Sequence, residues 1–238
     1  MKKTVHISES RGLTAVGWLV SRHTFSFGGY HDNSRMNFGL LRVLNDDLVL
    51  AGEGFDSHHH DNMEIISIPL DGSIKHKDSI GTEMAIKTGD VQLMSAGSGV
   101  EHSEFNASAD HSVHFLQIWV FPKKRNIAPR YDQKTFDFKA ARGQLLSIVS
   151  PEENSKSLMI NQDAWFSMGI LNEGQEMEYK LKKNGNGIYV FVIRGKIEIG
   201  GEILKKGDGM GIRETNLIKM KAVEETKILV IDVPMEQS

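Results

Sequence analysis

Two short stretches of the sequence carry paired side chains that can bind a metal ion. The first holds His58 and His60, and the second holds His102 and Glu104. Residues two apart in a β-strand point to the same face, so each pair should project together while His59 projects the opposite way. Two such strands side by side can place four ligands around one ion. The alternatives are a histidine-rich surface loop and an ordinary turn.

The chemistry of these side chains narrows the kind of ion. Three imidazoles and a carboxylate suit iron(II), copper, nickel, cobalt, manganese or zinc. Four protein ligands on a six-coordinate ion leave about two positions open, which substrate and dioxygen chemistry require. The chain has no cysteine, so disulfides, zinc fingers, iron–sulfur clusters and thiolate copper sites are excluded. Any metal must therefore bind to nitrogen and oxygen ligands.

The elements that must position these side chains are predicted to be β-strands. Short runs rich in Val, Ile, Leu and Phe alternate with Gly, Asn and Asp, for example at residues 38–43, 63–70, 113–121, 188–193 and 227–233. No long segment has helical periodicity. Several short strands between regular turn signals are typical of an all-β sandwich or barrel.

A weak internal repeat predicts two domains. Residues 70–75 resemble residues 193–198, and residues 88–94 resemble residues 206–212. Each copy has a strand, a glycine turn, a strand and a Gly-Asp turn into another strand, which favours duplication over chance recurrence. The boundary is expected between residues 122 and 143, so we predict an N-terminal domain at 1–133 and a C-terminal domain at 134–238.

The histidines are distributed unevenly between these two domains. All ten lie at or before His114, so only the first domain can hold a histidine-based metal site. The second is predicted to be a degenerate copy that serves for packing or shapes the site. His23 could line a pocket, or it could be a buried structural histidine with hydrogen-bond partners.

Charge and hydropathy do not favour binding to nucleic acids or to membranes. The 28 basic and 31 acidic residues give a formal net charge of -3, which does not favour DNA, RNA or an anionic membrane. No run approaches the roughly 18 apolar residues of a membrane span, and no apolar segment follows the N-terminal lysines as in a signal peptide. We expect a soluble, cytoplasmic protein.

The order of these features resembles a known framework, the cupin barrel. Residues 54–64 with Gly72 resemble the first cupin motif, and residues 89–97 with His102 and Asn106 resemble the second. More specifically, the chain resembles the pirin family, of the bacterial quercetinase-like kind. The resemblance covers nearly all of residues 12–133 and continues more weakly to the end. The matching stretches are residues 23–27, 41–47, 52–55, 63–65, 90–97, 102–104 and 117–120.

The resemblance implies two tandem cupin barrels, of which only the N-terminal one binds a metal. In this chain the implied ligands are His58, His60, His102 and Glu104, and iron(II) is the first expectation, with copper, nickel, cobalt, manganese and zinc as alternatives. The family usually has proline where this chain has His59. In many cupins the carboxylate ligand instead follows the histidine pair, which makes Glu64 a second candidate; otherwise Glu64 makes a hydrogen bond or ion pair within the barrel wall.

The implied activity is that of a quercetin 2,3-dioxygenase. The enzyme would open a flavonol ring with dioxygen and release carbon monoxide, with Glu104 as both ligand and candidate base for the 3-hydroxyl proton. The alternatives are a metal-binding regulator that binds a transcription factor or a metabolic enzyme, and another cupin enzyme, such as an isomerase, that acts on a small carbonyl or sugar. An enzyme predicts a closed pocket beside the metal, whereas a regulator predicts an exposed patch.

Overall fold

The computed structural model describes residues 1–153 and 156–236, and nearly all regular structure in them is β-strand. One short 3-10 helix covers Ser8–Ser10. The all-β prediction is therefore confirmed. Within the described part of the chain, no helix combines the length and hydrophobicity needed to cross a membrane.

The strands are numbered in chain order. Those of the first half are β1 Lys2–His6, β2 Gly12–Val16, β3 Leu19–His23, β4 Leu41–Val49, β5 Gly54–His60, β6 Glu64–Asp71, β7 Ser73–Asp78, β8 Glu83–Lys87, β9 Asp90–Ser95, β10 Val100–Asn106, β11 Val113–Val120 and β12 Arg130–Thr135. Those of the second half are β13 Leu145–Ser150, β14 Leu158–Met159, β15 Trp165–Leu171, β16 Glu176–Lys180, β17 Asn186–Arg194, β18 Lys196–Ile199, β19 Glu202–Lys205, β20 Gly209–Arg213, β21 Leu217–Ala222 and β22 Thr226–Pro234.

Each half consists of a four-stranded and a seven-stranded sheet. In the first half the orders are β5-β10-β7-β8 and β12-β9-β6-β11-β4-β3-β2. In the second half they are β16-β21-β18-β19 and β1-β20-β17-β22-β15-β13-β14. The two sets of orders correspond except at one edge, where β2 is antiparallel to β3 but β14 is parallel to β13. The fold is thus a tandem pair of cupin-like units, each made of two separate sheets rather than one closed barrel.

The two copies of the sequence repeat form the same turns. Gly72 and Gly195 have φ values of 81° and 85°, in the left-handed region that favours glycine. Asp90 Oδ2 accepts a hydrogen bond from the Lys87 amide at 2.9 Å, and Asp208 Oδ2 accepts one from the Lys205 amide at 2.9 Å. This shared geometry is what a duplication predicts.

The edges of the seven-stranded sheets cross the predicted domain boundary. Strand β12 begins at Arg130, ends at Thr135 and pairs with β9 of the first half. Strand β1 pairs with β20, so residues 2–6 complete the sheet of the second half. A division at residue 133 remains a prediction, and it would split β12 and separate β1 from the sheet it completes.

Apolar side chains of the two seven-stranded sheets form one buried cluster between the halves. It includes Ile66 and Leu116 from the first half and Phe166 and Leu229 from the second. Burial of apolar surface contributes about 25 cal/mol per Å², so this shared core stabilises the contact between the halves.

The interior of the second half is apolar at the positions where the first half has the candidate ligands. Its strand β21 corresponds to β10, and its buried residues Ile218, Met220 and Ala222 belong to a second apolar cluster. The matching inward positions of β10 include His102 and Glu104. The interior of the first half is therefore polar at these positions, whereas the interior of the second half is filled by apolar side chains.

Candidate metal centre

The pairing of β5 with β10 brings three predicted ligands together. In the antiparallel register His102 lies opposite His58, and Val100 lies opposite His60. The ring centroids are 4.5 Å apart for His58 and His102, 5.0 Å for His60 and His102, and 4.8 Å for His58 and His60. One ring nitrogen from each residue lies within 4.8 Å of the other two, which is the convergence that one ion requires.

Glu104 lies on the same buried face of β10, two residues beyond His102. It belongs to a second, overlapping group, in which ligand atoms of His76, His102 and Glu104 lie within 4.8 Å of one another. Ser67 Oγ donates a hydrogen bond to Glu104 Oε1 at 2.9 Å, and Gln117 Nε2 donates one to Oε2. These two bonds, from the facing seven-stranded sheet, hold the carboxylate in one orientation.

The hydrogen bonds of the histidines leave nitrogens free to bind an ion. His58 Nδ1 donates to the Asp56 carbonyl at 2.7 Å, so Nε2 carries the free lone pair. His102 Nε2 is buried and has no hydrogen-bond partner within residues 1–153 and 156–236. A buried polar atom without a partner is costly, and a metal ion at this position would remove the cost. The residues present therefore fit a metal.

The electrostatics favour neutral imidazoles, the form that binds metals. Burial, together with the neighbouring His102 and His58, lowers the pKa of His60 to about 4. Burial and the neighbouring His58 and His76 lower the pKa of His102 to about 3. Both imidazoles are consequently neutral at pH 7, each with one ring proton.

His76 was not identified from the sequence, yet it lies inside the site. It is fully buried on β7, and its Nε2 donates to Asp78 Oδ2 at 3.0 Å. Its ring centroid lies 4.8 Å from that of Tyr131. The sequence did carry a signal, because His76 and Asp78 are two residues apart in a strand whose lysines alternate with buried residues.

The other candidate residues lie elsewhere. Glu64 Oε2 accepts hydrogen bonds from Ser95 Oγ at 2.7 Å and from the Asn161 amide at 3.1 Å, so it faces the second half and not the histidines. Glu64 is absent from both groups of converging ligand atoms, and its hydrogen bonds are those of its alternative role within the wall. His59 is exposed, as expected for the outward position.

His23 has hydrogen-bond partners of its own, and aromatic side chains lie beside the site near His60. His23 is buried, donating from Nδ1 to Asn45 Oδ1 at 2.9 Å and accepting at Nε2 from Thr14 Oγ1 at 2.9 Å, which is a structural role. The Trp119 ring lies 4.9 Å from that of His60 and 5.2 Å from that of Phe27. Apolar aromatic surface thus borders the site on the His60 side.

Comparison with known proteins matches both halves of the chain. The pirin family matches residues 5–120, and the quercetinase C-terminal cupin domain matches residues 147–233. A quercetin 2,3-dioxygenase of Escherichia coli (strain K12) is 36% identical over 227 residues, which are 95% of this chain and 96% of that protein. A pirin-like protein of Caulobacter vibrioides is 36% identical over 217 residues, 91% of this chain and 93% of that protein.

A solved structure agrees over the whole fold. The crystal structure of the bacterial pirin YhhW from Escherichia coli, in complex with nickel(II), superposes with a TM-score of 0.93 at 33% sequence identity. The match covers 98% of this chain and 99% of that one. The order of strands, the converging histidines and these similarities agree, and the chain belongs to the pirin family.

Proposed function

We propose that the first half binds one divalent transition metal through the side chains of His58, His60, His102 and Glu104. Three of these four offer nitrogens that converge, and the fourth is an oriented carboxylate two residues from His102. The donor set of three imidazoles and one carboxylate suits iron(II), nickel, copper, cobalt, manganese or zinc, and the family makes iron(II) the first candidate.

We further propose that this site makes the protein a dioxygenase of the quercetin 2,3-dioxygenase type. The reaction consumes one flavonol and one dioxygen, breaks two ring bonds, and yields a depside and carbon monoxide, so both oxygen atoms enter the depside. A bound metal would supply a Lewis acid for the flavonol oxygen and a centre for dioxygen chemistry. The observation that carries the proposal is the buried carboxylate of Glu104 beside the three converging imidazoles of His58, His60 and His102.

The role of Glu104 is to accept the proton of the flavonol 3-hydroxyl. Its oxygens are held by Ser67 and Gln117, so the carboxylate is already oriented before a substrate binds. Each carboxylate oxygen has two lone pairs, so an oxygen that accepts one of these hydrogen bonds can still take the proton. Phe27 and Trp119, on the His60 side, would offer apolar surface to a flat aromatic substrate.

The experiment is reconstitution of metal-free protein separately with iron(II), copper(II), nickel(II), cobalt(II) and manganese(II). Each form is given quercetin, and loss of quercetin, uptake of dioxygen and release of carbon monoxide are measured together. At least one form should consume quercetin and dioxygen and release carbon monoxide in equal molar amounts. The double variant His58→Ala/His102→Ala should be inactive, and His111→Ala, at an exposed histidine, is the matched control. If no form cleaves any flavonol, the dioxygenase proposal fails and a metal-binding regulator becomes the better account.

A further inference from the structure

The four-stranded sheet of the first half places a buried histidine–aspartate pair directly beside the proposed ligands. Strand β10 lies between β5 and β7. Across from β7, His102 is in register with Asp78, and Glu104 is in register with His76. The four side chains form a two-by-two array on the inner face, because alternate residues of both strands are buried.

Asp78 has its hydrogen-bonding roles fixed by the neighbouring turn. Its Oδ1 accepts from the Ile80 amide at 3.1 Å and from the Thr82 amide at 2.8 Å. Its Oδ2 lies 3.0 Å from His76 Nε2, with both side chains fully buried. A carboxylate oriented by backbone amides accepts hydrogen bonds, so the proton of this contact belongs to His76 Nε2.

The proton on His76 Nε2 determines the next contact. A neutral imidazole with its proton on Nε2 presents an acceptor at Nδ1. His76 Nδ1 lies 3.5 Å from His102 Nδ1, so His102 must donate from Nδ1 to make this hydrogen bond. The remaining nitrogen, His102 Nε2, then carries a lone pair, and it is the buried atom with no partner in the described residues.

We propose that His76 and Asp78 are positioning residues that set the tautomer of His102 and thereby keep its Nε2 lone pair available to the metal. The proposal rests on the proposed metal site. The same device is present at His58, where the Asp56 carbonyl accepts from Nδ1. Partners of this kind around metal-binding histidines are worth about 10–100-fold in metal affinity. Either ring nitrogen of a neutral histidine can carry the proton, so the partners of His102 must fix which one does.

The first test reads the tautomer directly and needs no metal. Long-range ¹⁵N–¹H correlation spectra of metal-free protein at neutral pH distinguish the two tautomers, and the His102 signals are assigned by their loss in His102→Asn. We expect His102 to carry its proton on Nδ1 in the wild type and to shift toward Nε2 in His76→Leu. A wild-type His102 protonated on Nε2 would overturn the proposal, whatever the metal affinity. A doubly protonated His76 would give this same result, because its Nδ1 would donate to His102 Nδ1 and leave the His102 proton on Nε2.

The second test measures cobalt(II) affinity by equilibrium dialysis. His76→Leu should weaken binding about 10–100-fold. His76→Asn should recover most of this loss, since its Oδ1 falls near the position of the lost Nδ1 acceptor. Lys77→Gln, on the exposed face of the same strand, should leave affinity unchanged. Equal affinities for wild type and a folded His76→Leu would overturn the proposal. A wild type that binds no cobalt(II) would refute the metal site instead, and the tautomer measurement would still stand.

Discussion

Replacing Glu64 by glutamine tests whether this buried carboxylate belongs to the wall between the halves or to the metal site. Burial raises the pKa of Glu64 to about 7, against the opposing effects of hydrogen bonds from Ser95 and Asn161 and the charge of Arg130. One oxygen, Oε2, accepts both hydrogen bonds, whereas Oε1 is buried and has no partner within the described residues. Glutamine resembles the protonated, neutral form of Glu64, and its side-chain oxygen can take the place of Oε2 and accept the same two hydrogen bonds.

The raised pKa of Glu64 sets both the direction and the size of the expected change in the free energy of unfolding. A carboxyl whose pKa is raised in the folded state contributes stability that is fully present below its unfolded pKa of 4.5 and is lost as pH rises through about 7. At 1.36 kcal/mol per pH unit, this group costs wild type up to about 3 kcal/mol between pH 4.5 and pH 7. Glutamine does not titrate. The free energy of unfolding of Glu64→Gln, relative to that of wild type, should therefore increase by up to about 3 kcal/mol as pH rises from 4.5 to 7.

Urea denaturation of metal-free protein between pH 5 and pH 8, followed by tryptophan fluorescence, measures this difference. Groups that titrate in both proteins cancel, and the exposed Glu173→Gln serves as the control. The variant should also keep full metal loading, because the carboxylate faces Ser95 and Asn161. A stability difference that does not change with pH would refute the electrostatic reasoning, and loss of the metal would show that Glu64 is a ligand.

Three further predictions concern the proposed site. His58→Ala and His102→Ala should each lose most of the one metal equivalent per chain measured by elemental analysis, and full loading in both would refute the ligand assignment. His59→Pro should still bind metal, since His59 is exposed on an edge strand where proline is tolerated; a folded variant without metal would contradict this. Glu104→Gln, saturated with metal, should lose about 10²–10⁴ in flavonol turnover if Glu104 is the base, whereas retained turnover would leave it a ligand only.

Much of the fold was readable from short-range patterns. Strand alternation predicted the shared face of His58 and His60, and glycine turns predicted the repeat around Gly72 and Gly195. These signals are local, because the backbone alternates every two residues and a left-handed turn favours glycine. The sequence therefore predicted the class of fold and, on the assumption that the two strands lie side by side, the convergence of the three histidines.

Features that depend on pairing between distant strands were not predicted. The exchange by which β1 completes the second sheet joins residues about 200 positions apart, as in the pairing of Lys3 with Ile212. The role of His76 depends on the register of β7 against β10, which places it near His102. Glu64 was ambiguous for a related reason: the sequence does not show that its strand presents this residue to the second half.

The most direct test of the metal site is anomalous scattering from a crystal of the cobalt(II)-loaded protein. We predict one ion, at about 2.0–2.3 Å from the Nε2 atoms of His58, His60 and His102 and from a carboxylate oxygen of Glu104, as expected for nitrogen and oxygen ligands of a first-row divalent metal. No strong peak should lie in the second half, which contains no histidine or cysteine. An ion bound instead by His76 with Glu104, or bound away from His58 and His60, would contradict the account.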